Sequence, residues 1–548
     1  MTSEMTDIMV ELHGARLMAG GHQMSPENCL PGDHLDAEGH FLSREPSFTL
    51  GLVVGATESP RAATVSFPLF GLACPSRATL KEVYAKVGDR LILELTGHGS
   101  VICRRVEGPE ARADARLFTQ LYQAQAAYTT TVTATIAPFP GFGPHHYTRE
   151  GVTDHTDLDT FTIDPDSTVD FDDALSVGVD GTIYIHIVDI MAAMHRIDLA
   201  RVRTMGSSLY LANEHTEHLL DPEAMEAMTL AEGRIRPVIT VAVTLHSEGA
   251  VSGYNIYRSL IRVKRRFTYE EAGGLLKEHA GLRVLDTLAR RRNESISYKI
   301  EMPSLRLHMN AIGEPIEARL ESTTDAAHTL VSTAMILCNL VVSHHLKDLH
   351  LPNRFHATLR GIPADKQPDL GDLAATFCLL KKMARAEYSV DRKGHFGLGL
   401  TDYVHFTSPM RRYADMVTHM ILAGAAFSKA DLEAEVSALN RRSTFVRNLQ
   451  RFYIHTKCCR YLDLYPDGHE VVVTSVAPAG VQWFMPSLLL NGFCHVSLLR
   501  PAQRWLLDPR EGGSLIGGAG GRIRVGDRLI GSGSGLGSGP CLQLMLSV

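Results

Sequence analysis

Residues 162–175 read TIDPDSTVDFDDAL and place five aspartates between Asp164 and Asp173. Carboxylates this close repel one another, so a chain that keeps them together must leave them in water or supply a counter-charge. A solvated acidic loop is the ordinary fate of such a run. Here, however, apolar residues are interleaved with the acids, and strand-like runs stand on both sides. A calcium loop of the EF-hand type accepts Asp164, Asp166 and Thr168 at its first, third and fifth positions. It then fails at Val169, where a glycine is required, and at Leu175, where a glutamate is required. A third reading is a divalent-metal site. Hard oxygen ligands suit Mg²⁺, metal charge removes the repulsion, and such ions act on phosphodiesters. On the residues alone, the acidic loop and the metal site both stand.

The chain around this stretch has 548 residues, too many for one ordinary core, and predicts three or four domains. Its 61 acids against 54 bases give a formal charge of -7. That disfavours a protein that coats nucleic acid by bulk charge, but it leaves room for a local basic channel. One such excess exists: 258–299 holds eleven Lys/Arg against five Asp/Glu. It reads either as a wall for a phosphate backbone or as a solvated charged helix. The N-terminus carries early acids and no apolar core of a secretory signal. The most apolar stretch, 329–342, is short and interrupted by Thr329, Ser332, Thr333 and Asn339, so no membrane span is expected. Nine cysteines without a CxxC predict reduced thiols in an intracellular, cytoplasmic protein.

The pattern divides the chain. Residues 1–40 read as an irregular arm. Short strand-like runs over 41–145 and again over 466–548 predict small all-β barrels of the OB type. The string VGDRLI occurs at 87–92 and again at 525–530, each time before a late strand. It reads as a shared barrel turn or as a coincidence of two β-turns. Between the barrels, 146–465 is a mixed α/β block, and the whole is a multidomain α+β protein. Within the block, 182–190 and 238–245 read as buried strands. Residues 322–346 have helical apolar spacing, with Ser322 and Asp325 as an N-terminal capping pair. Ser408 and Pro409 predict the cap and first position of a further helix running to Phe427. His186 and Cys338 are assigned to the core. The glycines of 394–399 lack a following Gly-Lys-Ser/Thr and make no phosphate loop.

The spacing I-D-P-x4-D-F-D-D-A-L resembles the signature of the ribonuclease II superfamily, whose catalytic part is the RNB domain. Other segments follow in that family's order: DLDTF at 157–161, IHIVD at 185–189, SSLYL at 207–211, RFH at 354–356, HFGLGL at 395–400 and HFTSPMRRYAD at 405–415. The likeness covers about 150–465. It implies a central RNB-type α/β catalytic domain between a cold-shock-like barrel and an S1-type barrel. It also implies a processive 3′→5′ exoribonuclease that hydrolyses single-stranded RNA to 5′-mononucleotides.

By motif position the resemblance assigns Asp164, Asp170, Asp172 and Asp173 to Mg²⁺, with Mn²⁺ as the alternative ion, and leaves Asp166 as a loop residue. Arg411 would stabilise charge on the transferred phosphate; the bland reading is a salt bridge to Asp415. Tyr210 would stack on the terminal base, against a plain strand tyrosine. Tyr269 would face RNA, and Arg412 would be structural or contact phosphate. Neither a membrane nor a small-molecule cofactor is implied. The chain departs from the family at Met191-Ala192, at Ser332 and Thr333, and at Gln450, where the family has a glutamate. These changes leave processivity, end-product length and RNA affinity open. The alternatives to the hydrolase are an RNA-binding scaffold of the same shape with little turnover, and a phosphoesterase acting on a small substrate.

Overall fold

The computed structural model describes most residues of 8–133 and 152–547; the longest stretches outside the description are 25–32, 134–151, 356–371 and 533–544. At its centre is a closed five-stranded barrel. The strands are β1 (Thr153–Ile163), β2 (Asp173–Val177), β3 (Ile183–Val188), β4 (Ile235–Leu245) and β5 (Val251–Phe267). Antiparallel ladders join them in order, and a parallel pairing of β1 with β5 closes the ring. Ile183, Ile185 and Ile187 share one face of β3 and are buried. On the opposite face His186 and Val188 are buried too, and the His186 ring is satisfied by Ser176 Oγ at Nε2, 2.7 Å, and Thr240 Oγ1 at Nδ1, 2.8 Å. His186 and Cys338 thus lie in the core, as their sequence context suggested.

Three helices pack in the same core: α1 (Ala326–His345), α2 (Tyr413–Leu422) and α3 (Lys429–Leu464). α1 starts later than expected. Asp325, not Ser322, is its cap and accepts from His328 N at 3.0 Å. The strand Pro315–Glu321 ends beside Ser322, which turns instead to Thr324 N. α1 is long and apolar enough to cross a membrane. Leu330, Ala334, Leu337, Cys338, Val341 and Val342 are nevertheless buried among the barrel and its neighbours.

A five-stranded sheet precedes this block, made of Ser47–Ala56, Ala62–Phe67, Ser76–Lys81, Arg90–Leu95 and Val101–Glu107. A six-stranded and a three-stranded sheet follow it within 469–547. The two VGDRLI strings prove structurally equivalent. Gly88 and Gly526 have φ of 94° and 95°, and donate to Val53 O and Val473 O at 2.8 Å. Asp89 and Asp527 each accept, at 2.7 Å, the backbone N–H three residues before them, from Lys86 and Arg524. A left-handed glycine and an aspartate that closes its own turn are what this bend requires, so the same six residues build the same turn at both places. The irregular arm expected over 1–40 needs correction. Strands Ile8–His13, Arg16–Ala19, His22–Met24 and Asp33–Leu35 join Phe41–Arg44 in another five-stranded sheet. Strands of three to six residues are too short to display a reliable alternation.

One buried ionic cluster fastens the N-terminal part to the helices. Asp114, the first residue of helix Asp114–Thr133, is fully buried. It pairs with Arg90, with Lys457 Nζ at 3.1 Å and with Arg460 Nε at 2.8 Å. Burial pushes its carboxyl up, but the bond from Arg460 and the three cations outweigh that and hold it below the usual range. Asp114→Asn would remove the carboxylate that a fully buried Lys457 and two nearly buried guanidiniums share. A loss of about 3 kcal/mol or more is expected in a urea melt. A change below about 0.5 kcal/mol would mean that water already screens the cluster.

Candidate active site

The acidic stretch is the connection from β1 to β2, and both ends are anchored. Asp164 N donates to Phe267 O at 3.1 Å, and Val188 N donates to Asp172 O at 2.9 Å. Between them Phe171 N bonds Thr229 Oγ1, whose hydroxyl donates to Val169 O. Arg266 reaches over from β5, donating to Pro165 O at 2.9 Å and Asp166 O at 2.7 Å, with its guanidinium over the Phe171 ring. One side chain of the basic segment 258–299 therefore shapes the acidic loop rather than facing solvent. Arg258 pairs with Asp189 at 3.6 Å and Arg290 with Asp286 at 2.8 Å, while Lys299 lies outside the described residues.

Asp164, Asp170, Asp172 and Asp173 line one cavity of about 580 Å³. Tyr210, Tyr269, Arg411 and Arg412 stand in the same walls. Asp166 is exposed and outside them, in keeping with its reading as a loop residue. The carboxylates differ in state. Burial, reinforced by Asp173, pushes Asp164 up to about 7, and burial pushes Asp173 up to about 6. Burial also drives Asp172 well above the usual range, against the pull of Arg411 and the Met410 N–H. Asp170 goes the other way. Burial raises it, but His218 at 3.6 Å and the Tyr210 hydroxyl at 3.1 Å overcome that and leave it lowered.

Arg411 arrives on a turn, not on a helix. The expected cap at Ser408 is absent: α2 begins at Tyr413, with Arg412 extended before it, and ends at Leu422 rather than Phe427. The donors of this turn are taken by distant acids. Met410 N bonds Asp172 Oδ1 and Ser408 N bonds Asp415 Oδ1, both at 2.8 Å. Ser207 forms a bridge with Arg412, and Ser208 N donates to Arg411 O. The guanidinium of Arg411 lies with Nε 3.4 Å from Asp172 Oδ2 and donates from Nη2 to Ser408 Oγ at 3.1 Å. The salt bridge to Asp415 belongs to Arg412, at 2.7 Å.

The two tyrosines differ. Tyr210 is 38% exposed and offers its ring to the cavity while its hydroxyl holds Asp170. Tyr269 has one face covered by His328, with ring centroids 3.6 Å apart and planes 5° apart. Several contributors escaped the sequence reading. His218 beside Asp170 has no local signal. Asn339, read only as a break in an apolar run, accepts from Phe406 N at 2.9 Å and donates to the Tyr403 hydroxyl at 3.0 Å, fixing the segment that leads to Arg411. A buried amide in an apolar helix is itself a sign of such a task.

These residues fit a divalent cation by their chemistry. Asp172 Oδ2 is buried without a hydrogen-bond partner, and burial holds Asp164, Asp172 and Asp173 above their ordinary range although Arg411 pulls each of them down. Among the described residues, no three His, Cys, Asp or Glu side chains already converge as a finished ligand set.

Comparison with known proteins identifies the family. The RNB domain family matches residues 152–375 and 364–427, together just over half of the chain. Ribonuclease R of Chlamydia muridarum is 26% identical, over 84% of this chain and 75% of that protein. The fold is similar to that of Mycoplasma genitalium RNase R in complex with ribose-methylated single-stranded RNA. There the TM-score is 0.74 at 16% identity, covering 99% of this chain and all of that one. It is also similar to yeast Ssd1, a pseudonuclease, with a TM-score of 0.64 at 16% identity over 95% of this chain and 71% of that one. By the family match over half its length, together with these named relatives, the chain belongs to the RNB-domain family of exoribonuclease hydrolases.

Proposed function

We propose that this chain removes 5′-mononucleotides from the 3′ end of single-stranded RNA in a Mg²⁺-dependent hydrolysis. The observation that carries the reading is the meeting of four aspartates and the Arg411 guanidinium in one cavity, with Asp172 touching both the Met410 amide and Arg411. Asp164, Asp170, Asp172 and Asp173 would hold Mg²⁺ or Mn²⁺, which when bound supplies Lewis acidity and an activated water. The remaining tasks fall to the chain. Arg411 meets charge that develops on the phosphate. The Tyr210 ring offers a stacking surface that tolerates any base. Arg266 and Thr229 keep the acidic loop in shape. The flanking β-sheets, in this reading a cold-shock-like barrel built on the strands between Ser47 and Glu107 and an S1-type barrel within 466–548, would guide a single strand toward the recess. The free thiols of the described cysteines suit an intracellular, cytoplasmic setting.

The carboxylates make metal binding readable in stability. Asp164 and Asp173, raised to about 7 and about 6, keep protons in the folded state that the unfolded chain has already shed. Their contribution is therefore present at low pH and lost as pH rises through those values, at up to about 1.4 kcal/mol per unit for each group. Buried His186 and His419, lowered to about 3 and about 4, act in the opposite sense, but equally with and without metal. The gain in melting temperature on adding Mg²⁺ should be small near about pH 5 and largest near about pH 8. Equal gains at both would show that these acids do not take the ion.

The direct test is 5′-labelled single-stranded RNA incubated with Mg²⁺, with and without EDTA. A ladder that shortens from the 3′ end only when metal is free supports the proposal; intact RNA overturns it. The second reading, an RNA-binding scaffold, is favoured by the likeness to a pseudonuclease. Intact RNA that is still retained on a filter would establish it. A matched DNA oligomer reports whether the 2′-hydroxyl is read.

A further inference from the structure

A second cavity, of about 280 Å³, adjoins the acidic one across Tyr210, Arg411 and Arg412, which line both. The two differ in sign. The acidic cavity holds all four aspartates, whereas the second contains Arg354, Arg411, Arg412 and Arg447 and no Asp or Glu among its walls. Gln450 adds a neutral amide. Arg411 and Arg412 are committed to Asp172 and Asp415. Arg354 lies over the Tyr388 ring at 4.8 Å, and Glu387 acts on it only from beyond ion-pair distance. Arg447, on α3, has no carboxylate within ion-pair distance among the described residues. Burial, then the charges of Arg354, Arg385 and Arg451, lowers its pKa. Gathering partly buried guanidiniums without an acid is unfavourable, so the missing counter-charge belongs to whatever binds there.

A cavity of this size suits one nucleotide rather than a chain. Hydrolysis at the acids separates one nucleotide from the RNA, and this space lies directly beyond Arg411. A terminal nucleotide with a free 3′-hydroxyl brings only the phosphate of the bond being cut, which Arg411 and the acids already meet. Arg354 and Arg447 exceed that need.

We propose that the basic cavity binds a phosphate on the 3′ end of the RNA, so that the enzyme accepts 3′-phosphate-ended RNA and its first product is a nucleoside 3′,5′-bisphosphate. The inference rests on the exoribonuclease reading above. In that first cut, water adds its oxygen to the phosphorus joining the last two nucleotides. The bond from that phosphorus to the penultimate 3′ oxygen breaks, and the oxygen takes a proton. The RNA is left with a 3′-hydroxyl, the released nucleotide keeps its original 3′-phosphate beside its new 5′-phosphate, and later cuts yield ordinary 5′-mononucleotides.

The test uses two 5′-labelled oligomers of one sequence, ended by hydroxyl or by phosphate, in single-turnover reactions with the full chain and Mg²⁺. The phosphate-ended RNA should be cut at least as fast, with a nucleoside bisphosphate among the products. Arg447→Ala, which removes a donor, and Gln450→Glu, which adds an acid, should each slow that substrate about tenfold more than the hydroxyl-ended one, at unchanged melting temperature. Phosphate-ended RNA that resists the wild-type chain, or variants that slow both substrates alike, would overturn the proposal. Should the chain cut neither RNA, the exoribonuclease reading itself fails. Filter retention then decides: tighter retention of the phosphate-ended oligomer, lost in Arg447→Ala, supports the site, and equal retention of both oligomers rejects it.

Discussion

Asp173→Asn is expected to slow RNA shortening by about 10³-fold while leaving the metal-free protein at least as stable as the parent. The two halves of this result have one cause. Asp173 is the first residue of β2 and faces Ile187 across the ladder to β3, so its backbone place is fixed by the barrel and not by its charge. Its carboxyl is pushed up to about 6 by burial, and Arg411 and Arg412 recover only part of that cost. Asparagine keeps the shape and removes the charge, so without metal the substitution relieves an unfavourable group. If Asp173 holds the ion as proposed, the same change would delete a ligand oxygen of full negative charge. The measurements are single-turnover decay of labelled RNA at saturating Mg²⁺ and melting curves with and without the ion. The variant should lose most of the metal-dependent gain in melting temperature. A rate loss below about tenfold, or a clear drop in metal-free stability, would show that Asp173 is a structural acid.

The sequence disclosed the site's acids more readily than their surroundings. Five aspartates in ten positions are a local signal, and four of them do line one cavity. The VGDRLI repeat was similarly readable, because the left-handed glycine and the turn-closing aspartate are both local requirements. What failed were inferences in which a distant partner overrules a local preference. Ser408-Pro409 has every feature of a helix start, yet Asp172 takes the Met410 amide from more than two hundred residues away and Asp415 takes that of Ser408. The helix is delayed by one turn, and Arg411 is carried on a bend instead of an N-terminal turn. The same logic explains His218, whose pairing with Asp170 joins positions 48 residues apart. It also explains Arg266, which composition offered as part of a basic wall but which is spent on two carbonyls of the acidic loop. Tyr269 fits the pattern as well: no local rule foretells that His328 covers one of its faces.

Arg411→Lys should lower kcat by about 10²–10³-fold with little change in KM, and alanine should do no worse than lysine by more than about tenfold. The expectation follows from how the side chain is held. Its Nε faces Asp172 at 3.4 Å and one Nη donates to Ser408 Oγ, while the side chain remains 46% exposed toward the cavity. Only a planar, forked cation can face Asp172 and Ser408 and still present a donor to phosphate. A lysine ammonium can satisfy one of these at a time. A competing explanation is that Arg411 acts through Asp172 alone, by favouring its ionised form for metal binding; its charge does lower Asp172 against the effect of burial. The two accounts diverge with pH and metal concentration. If Arg411 only keeps Asp172 ionised, raising pH and Mg²⁺ should restore the lysine variant, and activity should reappear along a profile displaced to higher pH. If the guanidinium meets charge on the phosphate as the bond breaks, kcat stays depressed at saturating Mg²⁺ across the whole range, because no change in Asp172 replaces the lost donor. Full restoration at high pH and metal would remove Arg411 from the chemical step and leave it as a positioning residue for the acid beside it.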